Sequence, residues 1–169
     1  MTAPDPLTAP GIARRLACLF YEAFLAFAIA LATAFVFSVF TQMRHALRGR
    51  EALAVAIVLV LGLYFTWCWS RGRTLPMQTW RIRIIGPQGG APSLARAWFR
   101  YVLCSVWLLP PLAFFAHQRV TDWKPVTAVL LGWIVFWALL SRLHPQRQFW
   151  HDAWAGTRLV DVAKPPAAS

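Results

Sequence analysis

Acid is what this chain has least of: six Asp and Glu stand against 17 Lys and Arg in 169 residues. Charged residues of both signs make up only 14% of the sequence, while 59% is apolar and the mean hydropathy is +0.51. A disordered, self-repelling chain is thereby excluded, and a soluble globular domain fits poorly. With three Cys there is no disulfide scaffold, and twelve Pro and nine Gly are too few for a collagen-like or low-complexity repeat. Cys18, Cys68 and Cys104 lie inside apolar stretches, lack CxxC spacing and have no companion His, so neither a disulfide nor a metal site is indicated, nor any other cofactor. The net charge of +11 does not point to nucleic acid, because the basic residues fall between the apolar stretches. There they set membrane orientation and touch anionic lipid headgroups.

What the sequence has instead is four apolar stretches, over residues 16–40, 52–69, 101–116 and 126–140. The first runs about 37 Å at helical rise, enough to cross a bilayer with tilt. Ala30-Leu31-Ala32 resembles a signal-peptide cleavage triplet, but the apolar run continues to Phe40, so an uncleaved first helix is expected. The third stretch is interrupted by Pro110-Pro111, where a kink or a discontinuous helix lining a small-ion site is expected. Twelve of the 17 Lys and Arg fall before the first stretch, between the second and third, and after the fourth. That bias places both termini in the cytoplasm. Trp69, Trp98, Trp123 and Trp150, near the ends of these stretches, fit aromatic belts at headgroup level.

Glu22 stands out. Seven residues beyond Arg15, it is placed roughly 10 Å below the interface, where an acid pairs with a base, faces the bundle interior or takes up a proton. Arg15 shares its helical face but lies two turns away; Arg71, Arg96 and Arg100 are expected as its direct partners, the last two at i and i+4.

Residues 80–85 alternate apolar with basic and meet Gly86-Pro87-Gln88-Gly89-Gly90, a strand followed by a turn. Residues 157–162 form a second candidate strand, and the two are expected to pair, with Asp161 facing Arg81 or Arg83. Residues 146–155 place Phe149, Trp150 and Trp154 near one side of an interfacial helix that Gly156 ends. His151-Asp152 does not read as a catalytic dyad, since adjacent helical side chains diverge by about 100° and no nucleophile motif accompanies them. No enzymatic activity is expected.

Taken together, Arg14-Arg15, Glu22, Tyr64-Phe65, Trp69-Ser70-Arg71-Gly72-Arg73-Thr74-Leu75, the Arg-Ile-Arg-Ile strand and Trp150-His151-Asp152-Ala153-Trp154-Ala155-Gly156-Thr157-Arg158 resemble the RDD family of small prokaryotic membrane proteins, over roughly residues 12–162. The resemblance implies that the family's one Arg and two Asp fall on Arg15, Glu22 and Asp152. It departs in having Glu at the first acid, and Leu75-Pro76-Met77 where many members carry a central Gly. The resemblance also implies a multi-span protein of the inner membrane, with cation/proton exchange proposed for some members.

The expectation is an all-α membrane protein with about four transmembrane helices, a basic cytoplasmic loop carrying a short strand and turn, and an interfacial C-terminal helix. A disordered lead at 1–13 and a disordered tail at 163–169 would flank a transmembrane domain at 14–162. The leading functional expectation is monovalent cation/proton exchange through Glu22, with Arg15 tuning it and Asp152 orienting the cytoplasmic mouth, in a homo-oligomer. The alternative is a non-transporting accessory protein whose basic face binds a partner or anionic lipid.

Overall fold

The structure, a computed structural model, describes residues 9–41, 49–117, 123–140 and 149–162. Three long helices dominate: α1 (Ile12–Thr41), α2 (Arg50–Ser70) and α4 (Leu94–His117), with α5 (Trp123–Leu140) following. Between α2 and α4 lie a short helix α3 (Leu75–Thr79) and strand β1 (Ile82–Ile85); after α5 come a one-turn helix α6 (Trp150–Trp154) and strand β2 (Arg158–Asp161). α2 packs against α1 on one side and α4 on the other, while α5 rests on α4.

The apolar composition of the long helices decides where their side chains go. The most apolar stretch of the 30-residue α1 has no buried residue, and Phe24, Phe27, Phe35 and Phe40 are all exposed. A soluble protein does not leave such a surface in water, whereas hydrocarbon solvates it. Both α1 and the helical stretch Glu51–Thr79 are long and apolar enough to cross a membrane. Within α1, Thr33 and Thr41 return their hydroxyls to the carbonyls of Ile29 and Phe37, so that neither is left unsatisfied. The third and fourth apolar stretches become α4 and α5; the apolar part of α5, Lys124–Trp137, is shorter than the two candidate spans. α4 continues as helix through Pro110 and Pro111, so the expected discontinuous helix is not present.

The buried core sits at one end of the helices. Cys18, Trp69, Met77, Ile82, Ile84, Ala97 and Leu159 form it, drawn from the start of α1, the end of α2, α3, both strands and the start of α4. Beta pairing is as expected: β1 and β2 run antiparallel, Arg83 opposite Val160 and Ile84 opposite Leu159. The partner of Asp161 is not. It sits opposite Ile82 in the register and forms a two-oxygen ion pair with Arg14, whose Nη2 also donates to Trp80 O at 2.5 Å. Arg81 and Arg83 stay exposed. The first helix begins at Ile12, inside the expected lead, and the expected C-terminal helix is reduced to Trp150–Trp154, its earlier residues and the expected disordered tail lying outside the described residues. Trp69 is buried in the core rather than placed in an interfacial belt.

Gly72 closes the turn after α2 with φ 84°, a left-handed conformation that strains any side chain, and its carbonyl accepts from Ile84 N at 2.8 Å, docking β1 onto the helix end. Gly62 serves the helix–helix contact instead. A Cβ there would fall 2.7 Å from the Trp98 ring and 2.9 Å from Tyr101, and Tyr101 is anchored because its hydroxyl donates to Val58 O at 2.8 Å. We predict that Gly62→Val forces α2 and α4 apart and costs about 1–3 kcal/mol. Thermal unfolding in neutral detergent checks this; an unchanged midpoint contradicts the packing.

Candidate functional site

Helix ends that meet one another need specific contacts, since lipid-exposed flanks supply no hydrophobic drive of their own. Here the contacts are charged. Asp152, on α6, is completely buried, and its Oδ1 accepts from Arg100 Nε on α4 at 2.6 Å. The Arg100 guanidinium lies 4.0 Å above the Trp69 ring, tying the pair to the end of α2. Its Nη1 and the second oxygen of Asp152, Oδ2, have no hydrogen-bond partner among the described residues.

α6 is short, yet it is well fixed. The chain turns at Gly156, Thr157 N donates to Asp152 O at 2.9 Å, and the Thr157 hydroxyl reaches the same carbonyl at 3.2 Å. These bonds hold the Asp152 backbone while Arg100 holds its side chain. Phe149, just before α6, carries His151 stacked on it at 5.4 Å and 7°, and the Arg15 guanidinium lies 5.4 Å from the Phe149 ring centroid. Arg15 is buried, donates from Nε to Pro10 O at 2.7 Å and interacts electrostatically with Asp152. A continuous stack therefore runs from α1 through α6 and α4 to α2.

Glu22 joins this cluster from α1, but not through an arginine. Its carboxylate accepts from Thr74 Oγ1 at 2.6 Å, and among the described residues it forms no ion pair. Of the three expected partners, Arg100 acts on it electrostatically while bonded to Asp152, Arg71 stacks 3.8 Å over the Trp67 ring, and the Arg96 guanidinium lies against Gly86 and Gly156. Thr74 lies four residues beyond the end of α2, and Tyr21, next to Glu22, packs on Trp80 at 6.1 Å. Glu22 is thus half-buried and set against the turn and short helix that follow α2.

Thr74 was missed by sequence reasoning, although a signal exists. A Thr followed by Leu-Pro is an N-cap with proline in the first turn, and Thr74 Oγ1 does accept from Met77 N at 3.3 Å. The same hydroxyl proton then points to Glu22. His151 and Asp152 also come closer than their spacing on a helix implies, at 3.6 Å between Nε2 and Oδ1, because α6 is a single turn and Asp152 is drawn inward.

Breaking the buried pair should be costly. Asp152→Ala leaves Arg100 charged and uncompensated, and we expect a loss of about 3–5 kcal/mol, whereas Arg100→Met with Asp152→Leu should lose far less. Chemical denaturation of the three proteins in detergent decides it; equal losses contradict a buried ion pair. His151 adds a pH dependence. Burial works against charging its ring, but the Cys104 and Asp152 side chains, opposed by Arg100, leave its pKa above the ordinary 6.5. A raised folded pKa contributes stability that is complete below 6.5 and lost as pH rises through the folded value. His151→Gln should flatten this part of the stability–pH curve; a curve unchanged by the substitution contradicts it.

No curated protein and no solved structure matches the chain. The sequence model of the RDD family does match, over residues 9–156, a range that takes in Arg15, Glu22, Arg100 and Asp152, and this mostly helical membrane protein belongs to the RDD family.

Proposed function

We propose that the protein exchanges a monovalent cation for a proton across a prokaryotic inner membrane, with Glu22 as the carboxylate that alternates between them. One observation carries this reading: the two acids of the cluster are held differently. Asp152 is bound to a guanidinium inside the protein, whereas Glu22 meets the neutral hydroxyl of Thr74. An acid locked to arginine has no vacancy for a cation. One whose direct partner is a hydroxyl keeps oxygens for an Na⁺-like ion or a proton, while Arg100, which acts on it electrostatically, keeps the binding weak enough to reverse.

In this reading Arg15 and Asp152 act as positioning residues, and α4 and α5 complete a four-span bundle with both termini cytoplasmic. The basic segment between α2 and α4 agrees with that orientation. A four-helix unit is small for a carrier, and a homo-oligomer would supply the rest of the pathway. No catalytic role is assigned to any residue.

Burial of Arg100 and Asp152 also favours a second reading, a non-transporting accessory protein in which the cluster locks helices together. Proteoliposomes separate the two. With a pH-sensitive dye inside and a cation gradient imposed, wild type should show proton-coupled flux and Glu22→Gln should lose at least ten-fold of it. Unchanged flux in Glu22→Gln removes the carboxylate mechanism, and no flux in wild type leaves the accessory role.

A further inference from the structure

Four acids fall among the described residues, and none of them neutralises the exposed arginines of the β1–β2 ribbon. Asp161 is taken by Arg14, Asp152 by Arg100 and Glu22 by Thr74. Glu51 lies at the start of α2, about 30 Å along the helix from its ribbon end. Arg71, Arg81, Arg83 and Arg158 remain exposed, with no ion pair among the described residues. Arg73 is exposed too, beside the Gln78 amide, whose oxygen accepts from Arg73 Nε at 3.1 Å when turned toward it.

The fold gathers these cations. β1 buries Ile82, Ile84 and Ile85, β2 buries Leu159 and Val160, and the exposed side chains of the two strands are Arg83 and Arg158. Arg83 Nε lies against Gly72, between Arg71 and Arg73 in the turn that ends α2. Arg81 stands at the start of β1 and Arg158 at the start of β2, so both ends of the ribbon carry a positive charge.

The surroundings fix the occupant. Arg71 stacks on Trp67, which is itself exposed, as are Leu63 one turn before it and Leu75 just beyond the turn. An exposed indole beneath a guanidinium, at the end of an apolar membrane-crossing helix, is the arrangement by which a side chain anchors at headgroup level. The headgroup plane therefore passes at or near Arg71, and the ribbon arginines lie beside it. A large soluble partner would have to displace lipid to reach them, whereas phosphates of the leaflet are already there.

We propose that the exposed arginines of the β1–β2 ribbon, Arg83 in mid-strand with Arg81 and Arg158 at the two ends and Arg71 at the lipid edge, form a binding platform for the phosphates of anionic phospholipid headgroups. It does not depend on exchange chemistry at Glu22.

The test follows thermal unfolding of the full chain in neutral detergent as dioleoylphosphatidylglycerol, dioleoylphosphatidylcholine or inorganic phosphate is added. Phosphatidylglycerol should raise the midpoint by about 3–6 °C while the other two leave it unchanged, and about 0.5 M salt should erase the gain. The R81Q/R83Q/R158Q variant should unfold at the wild-type midpoint without lipid and lose at least half the gain with it. Should that variant fail to fold, R83Q alone is expected to lose about a third. Equal gains from both lipids, or a full gain in the variants, overturn the platform. A gain from inorganic phosphate alone assigns the arginines to a free anion and overturns the lipid assignment.

Discussion

The contact between Arg100 and Asp152 is the constraint on which the arrangement of the helix ends rests. An aspartate with no solvent exposure has no water to stabilise its charge, so the chain around it must bring a cation and hold it there. Four segments distant in sequence do this together. α4 supplies the guanidinium, Trp69 at the end of α2 supplies an aromatic face for it, the turn after α6 pins the Asp152 backbone, and Arg15 reaches in from α1 beside Phe149. In a bilayer, where apolar flanks are equally content against lipid or protein, such a directed and desolvated contact decides which helix end meets which.

The rest of the molecule divides around that point by solvent. Beyond it the helices carry phenylalanine, leucine and valine outward into hydrocarbon and contain few buried side chains. At the cluster a small core of ordinary globular type forms, with Ile84 and Leu159 on facing strands packed near Trp69 and Met77. At the edges of that core Arg81, Arg83 and Arg158 stay exposed.

Legibility of the fold from sequence followed the range of the forces involved. The apolar runs, the alternation in Arg81–Ile85 and the turn residues around Gly86 and Gly156 are local signals, and the elements they announce are present. Errors arose where a neighbour distant in the chain had the final say. Asp161 was assigned to Arg81 or Arg83 by strand alternation, but Arg14, 147 residues away, reaches both of its oxygens. Glu22 was assigned to an arginine because charge seeks charge, yet Arg100 was already committed to Asp152, and the Thr74 hydroxyl was left to satisfy it. Pro110-Pro111 was expected to kink the third apolar run or to break it, and α4 runs as helix through both.

The resemblance to the RDD family marked Arg15 and Asp152, while the amino-acid order alone determined that this is a membrane protein, that its positive charge collects between and beyond the apolar runs, and that Glu22 needs a partner. Composition and periodicity suffice for that, because the bilayer sorts side chains by transfer free energy with little regard to their neighbours. Only the tertiary structure decided which partner each received. Pairing in a desolvated cluster is a competition among groups brought together from distant parts of the chain, and its outcome depends on angstrom distances that no spacing along the chain encodes.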